Sequence, residues 1–341
     1  MLWEQLLGHE TQQEWFRTAL AANRLATSFL FVGPPGVGKR TFARLLAKSL
    51  LCRSTPANEL NCCGVCEDCV QIEAATHPDL VEVAKPADKA NIPVELLIGE
   101  REKRMREGLC HDISLRPFGG RRKVAILDDA DTLNSEGANC LLKTLEEPPL
   151  DSLLILLGTS LQRQLPTIRS RCQAILFQPL SQTHIADLLR RGALDDPTNE
   201  SDSFPEERID TIASQCDGTL DSAREFADTE LQEFRSALES SLTQRPLPIS
   251  ALGKELSGIV DAAGKDNRTK RDRMRSIFGM AAEYYRRRVL QESSQPDQAK
   301  LDDPLKCWNR CLQAIEQVER NANQAGLIEA WVADLATYSH R

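Results

Sequence analysis

The apolar positions of this chain change rhythm as they are followed from one end to the other. Over residues 1–25 they recur at helical spacing, with Trp15, Phe16, Ala19 and Leu20 on one stripe. Short unbroken apolar runs then follow: SFLFV (28–32), DLVEVA (79–84), the centre of RRKVAILDDAD (121–131), LLILLGT (153–159) and QAILF (173–177). Runs of this length without polar alternation predict strands buried on both faces, as in parallel sheets. Helical patterns separate them: an amphipathic stretch from about residue 40 to Leu51, a charged one over 93–114, and ANCLLKTLEEPP (138–149), which two prolines close. Five strands alternating with helices predict an α/β domain over residues 1–178, its mostly parallel sheet covered on both faces.

After Pro179 the strand pattern stops. SQTHIADLLRR (181–191) opens on a serine suited to an N-cap. DDPTNESDSF (195–204) reads as a polar linker, and PEERIDTIASQC (205–216) with 219–240 completes a small helical unit, 179–243. The prolines of RPLPIS (245–250) mark a boundary, beyond which 244–341 reads as helices only. One carries Met274, Ile277, Phe278, Ala281 and Tyr285, another Trp308, Cys311, Leu312, Ile315 and Val318, and the last Leu327, Ile328, Trp331, Val332 and Leu335. The polar stretch 291–303 reads as a loop, and there is no internal repeat.

No apolar run approaches the roughly 18 residues of a membrane span, and MLWEQLLGHE lacks the basic flank and apolar core of a signal peptide. A cytoplasmic protein with no membrane partner is the expectation. The net charge of −8 argues against a surface devoted to nucleic acid, with a local basic patch at Arg116, Arg121, Arg122 and Lys123 as the exception. The helical pattern over 93–114 overlaps a basic segment, 97–120, whose helix is read as a solvated face in preference to a DNA contact.

Candidate chemistry begins where the first strand ends. GPPGVGKR (33–40) fits G-x-x-x-x-G-K, a P-loop: Gly33, Gly36 and Gly38 let backbone N–H groups turn toward phosphates, and Lys39 reaches their terminal oxygens. The residue after the lysine should carry a hydroxyl for Mg²⁺. Here it is Arg40, and Thr41 comes one place late, about 100° further round the helix. Asp128 ends the third strand as a metal-orienting carboxylate would, while Asp129 replaces the longer glutamate that activates water. ATP or ADP can be held by such a loop, but the pattern is poor for hydrolysis.

Eleven cysteines in a chain of 341 residues do not suit a disulfide scaffold, which belongs to short secreted chains. Cys63-x2-Cys66-x2-Cys69, with Cys52 upstream, supplies four thiolates for a closed structural Zn²⁺ site inserted at about 52–69. Cys62 is adjacent to Cys63 and one of them is spare; the even spacing selects Cys63. His77 is a substitute ligand.

Taken together, GPPGVGKR, the four cysteines, THPD (76–79), ANCLLKTLEEPP, LPTIRSRC (165–172) and NANQAGLIEAW (321–331) resemble the AAA+ subunits of the bacterial DNA polymerase III clamp loader. The resemblance runs the length of the chain and implies an AAA+-like α/β P-loop domain with a five-stranded parallel sheet, a small helical lid and an all-α C-terminal collar for oligomerisation. Partners would be the gamma/tau motor and delta subunits, with the sliding clamp and primed DNA reached through the complex. Two branches of the family share the zinc module, the ATP-hydrolysing gamma/tau type and the delta-prime type. Arg40, Asp129 and Asp221, which stands where the motor pattern has arginine three residues before Arg224, favour the delta-prime branch. So does a chain that ends soon after its third domain. By the same resemblance Arg171 is an arginine finger acting in trans on a neighbour's γ-phosphate; the alternative is an ion pair inside its own chain, and Arg169 lies close by. Thr159 and Ser160 take the sensor-1 position. A gamma/tau-type motor and a zinc-containing nucleic-acid-binding protein remain the competing classes.

Overall fold

The computed structural model describes residues 2–56, 58–86, 89, 91–194, 204–227, 229–264, 267–293, 302–319 and 323–338. Most of the linker read over 195–204, most of the loop over 291–303, and the first two residues of the 321–331 segment lie outside the described residues. The chain divides into two compact units, 1–227 and 228–341.

The first unit starts with helix α1 (Glu10–Ala21), strand β1 (Ser28–Val32) and helix α2 (Lys39–Leu51). Helix α3 (Glu67–Glu73) and strand β2 (Leu80–Val83) follow, then short helices α4 (Val94–Ile98) and α5 (Leu109–Asp112) and strand β3 (Lys123–Leu127). Helix α6 (Ser135–Glu146), strand β4 (Ser152–Gly158), helix α7 (Pro166–Arg169) and strand β5 (Gln173–Leu176) complete the sheet region. All five strands are parallel, in the order β2-β3-β4-β1-β5. This is the five-stranded parallel α/β fold that the apolar runs predict.

Successive strand residues face opposite ways, and the two sheet faces sort accordingly. Phe29, Phe31, Val124, Ile126, Leu153, Ile155 and Leu157 join one core with Phe16 of α1 and Phe42 of α2. Leu30, Val32, Ala125, Leu127, Leu154 and Leu156 join the other with Leu97 of α4 and Leu141 and Leu145 of α6. On the first face Phe16, Phe29, Phe31, Phe42 and Phe177 form a continuous edge-on and tilted cluster, with centroids 5.1–6.3 Å apart.

The helix expected over 93–114 is not continuous. Its apolar residues pack as helices α4 and α5 do, but Gly99, Met105 and Gly108 sit at φ +80°, +62° and +90° between them. Left-handed backbone ends a right-handed helix, so the segment becomes two short helices and a single 3₁₀ turn, Arg101–Lys103.

Helices α8 (Gln182–Arg190), α9 (Glu206–Gln215) and α10 (Leu220–Ala227) share the core of the first unit through Ile185, Leu189, Ile209, Ile212 and Phe226. Ser181 caps α8, its hydroxyl accepting the His184 N–H at 3.2 Å. The second unit is helical among the described residues: α11 (Thr229–Thr243), α12 (Ile249–Ala262), α13 (Asn267–Ser293), α14 (Asp302–Glu319) and α15 (Gln324–Tyr338). Leu238 and Leu242 of α11, read in the sequence with the preceding lid, pack in this unit's core with Leu256, Phe278, Cys311 and Trp331. Arg310, nearly buried, reaches Asp334 at 2.6 Å. No helix among the described residues is long and apolar enough to cross a membrane.

Candidate functional site

The strand order brings the C-terminal ends of β1, β3 and β4 side by side, the place where open parallel sheets bind ligands. A pocket of about 360 Å³ opens there, lined by the 35–41 loop, Asp128, Asp129, Asp131, Thr159, Asp221 and Arg224. Gly33 pairs with the end of β4, and a Cβ on it would meet the Phe177 carbonyl at 2.4 Å. Gly36 and Gly38 take φ +69° and +100°, which glycine alone adopts freely. The loop thereby turns onto the N-terminus of α2, the positive end of its macrodipole.

Lys39 does not reach into the pocket as a free ammonium. Its Nζ donates to the Gly33 and Pro34 carbonyls, both at 2.7 Å. Burial lowers its pKa, opposed by the charges of Asp128, Asp131 and Asp221. Arg40 is exposed and spans two carboxylates, with Nη1 3.8 Å from Asp128 and Nε 3.9 Å from Glu82. Thr41 lies on the lining beside it. Asp129 sits at φ +55°, its N–H donating to Asp128 Oδ1 at 2.9 Å; burial, then the Asp128 charge, raise its carboxyl.

Sequence reasoning passed over two residues here, Asp131 and His9. Asp131 accepts the Thr159 N–H at 2.6 Å and the Gln164 amide, so it ties the β4 end to the β3 end. His9 places its ring on the Val37 carbonyl at 2.8 Å and edge-on to Phe177, and burial lowers its pKa. Ser160 bonds only locally, to Gln162. The N-terminus of α10 closes over the loop, with the Leu220 N–H donating to Gly36 O at 3.1 Å and Asp221 filling the space a Gly36 side chain would need. Four carboxylates (Asp128, Asp129, Asp131, Asp221) face three cations (Lys39, Arg40, Arg224). The lining therefore offers no cationic surplus toward a phosphate and no hydroxyl at position 40.

The second constellation joins the end of α2 to α3. Cys52, Cys63, Cys66 and Cys69 place their sulfurs within 4.8 Å of one another, and three of the separations are 3.7, 3.7 and 4.0 Å. Four thiolates at about 2.3 Å from a tetrahedral ion lie roughly 3.8 Å apart, so the donor set fits a zinc ion. The N–H of Cys66 points at Cys63 Sγ, 3.3 Å away, and backbone donors from Val65 and Cys66 lower the Cys63 thiol to about 6. Cys62 is buried outside this set, and burial raises its thiol.

His77 stands apart from the sulfurs. Its Nε2 faces Asp68 Oδ1 at 3.4 Å and its Nδ1 accepts the Asp79 N–H at 3.0 Å. Asp68, buried between two of the cysteines, is gripped by the Arg53 guanidinium at 2.8–3.0 Å, which holds its carboxyl down to about 2. Asp79 in turn accepts Lys123 Nζ at 3.1 Å and the N–H groups of Phe118 and Gly119. His77 and Asp79 of THPD thus form a buried polar tie between the cysteine module and the start of β3, and nothing in the apolar rhythm signals it.

Arg171 lies between α7 and β5, a third of its side chain exposed. Its Nε donates to Glu146 Oε1 at 2.9 Å, Nη2 is 2.6 Å from the same oxygen, and Nη1 donates to Thr167 O and Ser170 Oγ. The intrachain ion pair weighed in the sequence is present. Arg169 is exposed.

A family model described as DNA polymerase III, delta subunit, matches residues 8–181. The DNA polymerase III subunit delta' of Bacillus subtilis is 36% identical over 171 residues, 50% of this chain and 48% of that one. Its counterpart in Pseudomonas aeruginosa is 39% identical over 147 residues, 43% of this chain and 42% of that one. The DNA polymerase III subunit tau/gamma of Haemophilus influenzae is 34% identical over 226 residues, 63% of this chain but 29% of that one. The chain thus spans about half the length of the delta' relatives it matches and less of the tau/gamma protein.

Proposed function

Because the chain belongs to the DNA polymerase III delta-subunit family, we propose that it is a delta-prime-type subunit of a clamp loader, a hetero-oligomer with gamma/tau and delta subunits. In this reading it braces an ATP-driven ring that loads the sliding clamp onto primed DNA, and it hydrolyses little or no ATP itself. Its lid and C-terminal helices serve as lid and collar domains. The observation that carries the reading is the Arg40–Asp128 pair at 3.8 Å. A guanidinium stands where a P-loop needs a metal-binding hydroxyl, and it engages the carboxylate that would orient the metal. The four cysteines hold one structural Zn²⁺, which fastens α3 to the end of α2. Arg171 supplies charge to a neighbour's γ-phosphate.

A gamma/tau-type motor is the second reading, favoured by the intact Gly33–Lys39 loop and the tau/gamma relative. Steady-state ATPase of the purified chain separates the two. Negligible turnover is the expected result; multiple turnovers near the common enzyme median of about 10 per second would move the chain to the motor class.

A further inference from the structure

The turn before β3 presents a phenylalanine to solvent in a way the core does not require. Phe118 is 86% exposed, yet its backbone is tied to a buried carboxylate. Its N–H donates to Asp79 Oδ1 at 2.8 Å and the Gly119 N–H to Oδ2 at 2.7 Å. Asp79 is itself buried and fixed by Lys123 at 3.1 Å. Gly120 closes the turn onto Pro117 at φ +72°, and Arg121 ties the far side to the Thr55 carbonyl at 2.9 Å. The ring is therefore mounted on a stapled turn.

Its surroundings are cationic in a chain whose net charge is −8. SLRPFGGRRK (114–123) holds four cations and no carboxylate. Lys123 is committed to Asp79 and Arg121 to backbone carbonyls. Arg116 is exposed and Arg122 half-buried, and neither is paired with an acid among the described residues. Beside the ring, Gly119 and Gly120 leave bare backbone, and a Cβ on Gly120 would meet nothing within 4 Å. An apolar peptide side chain needs a concave pocket, whereas a nucleobase needs only an open π-face with cations in reach of its phosphates.

We propose that the 116–122 turn binds single-stranded nucleic acid, with Phe118 stacking on one base and Arg116 and Arg122 holding the flanking phosphates. Duplex DNA has no open base for the ring, so single strands are the ligand.

Anisotropy of a fluorescein-labelled oligothymidylate, titrated with the full chain over a range of salt concentrations, tests this. Phe118→Ala should weaken binding about tenfold, within the range that stacking on one base implies. Phe118→Tyr should retain it. Arg116→Gln with Arg122→Gln should lower the salt slope by about 1.4, since each phosphate contact to a single strand contributes about 0.7. Melting temperature and bound metal should stay constant in all variants, because Phe118 and Arg116 are exposed and Arg122, half-buried, pairs with no acid among the described residues. No binding, binding that ignores Phe118→Ala, or equal competition by polyglutamate would overturn the proposal. The last result would assign the turn to an acidic protein instead.

Discussion

At the scale of single residues, Arg171 is the side chain through which the proposed role toward a neighbouring subunit would act. A guanidinium has five N–H donors, and here Nε, Nη2 and Nη1 are all engaged within the chain. To serve a neighbour's phosphate it must exchange Glu146 for that ligand. The pair is half exposed, so the exchange is cheap: such pairs contribute about 0–1 kcal/mol. Arg171→Ala should leave fold and metal content unchanged and lower ATP turnover of the reconstituted complex, by about 10³-fold at the one site served. Arg171→Lys should rescue poorly, for it keeps the charge and loses the fork. Glu146→Gln should keep turnover within a few-fold. Parental turnover and clamp loading with Arg171→Ala would make the residue a structural partner of Glu146 alone. The cysteines allow an equally local test by metal analysis. Cys62→Ser should retain one zinc per chain and Cys63→Ser should lose affinity, because only Cys63 has its sulfur within reach of the other three.

At the scale of elements, the informative feature is how a loop with little regular structure is made rigid. Asp79 is buried with Lys123 and fastens the start of β3 to the 117–120 turn. Removing one partner of a buried pair costs roughly 3–5 kcal/mol, since the other charge is left uncompensated. Asp79→Asn should therefore lower the unfolding free energy of the first unit, read from chemical denaturation, by that order, while Phe118→Ala leaves it alone. Burial raises the Asp79 carboxyl, but the N–H groups of Gly119 and Phe118 and the Lys123 ammonium outweigh it, and the net pKa is lowered. A lowered carboxylate contributes stability that is present above its unfolded value of about 3.9 and lost as pH falls through the folded value. The destabilisation by Asp79→Asn should consequently shrink as the denaturation series is taken below pH 4. A constant difference down to pH 2 would show that packing, not charge, is at stake. The three central strands, β1, β3 and β4, were legible in the sequence because every residue in them is buried and each reads as an unbroken apolar run. At the sheet edges β2 and β5 are only partly buried and were legible from their short apolar runs alone. The 93–114 segment was misread as one helix because its apolar spacing is helical while its breaks depend on backbone angles at Gly99, Met105 and Gly108. The polar tie through Asp68, His77 and Asp79 left no periodic trace: His77 reads in the sequence as a substitute metal ligand, THPD as part of the resemblance, and nothing singles out Asp68.

At the scale of the whole molecule, the chain divides into a unit cored on the two faces of the sheet and a unit cored among helices α11–α15, with no core residue in common. Each core is large enough to sustain a cooperative transition, since domains of this size ordinarily fold as units. The metal-ligand candidates fall entirely in the first unit, at the junction of α2 and α3, where Cys52 and Cys69 are fully buried. Metal bound only by the native arrangement stabilises the unit that contains it by mass action. Without the ion, four sulfurs within 4.8 Å would have to be held together by the Arg53–Asp68 contact and the packing of Leu2 and Trp3. Scanning calorimetry of the full chain should accordingly resolve two transitions. A strong chelator should lower the temperature of one by several degrees and leave the other in place, and added zinc should restore it. The fragment 228–341 should reproduce the transition that the chelator spares. A single transition that moves as a whole on chelation would mean that the two units unfold together. The separation of their cores would then carry no thermodynamic independence.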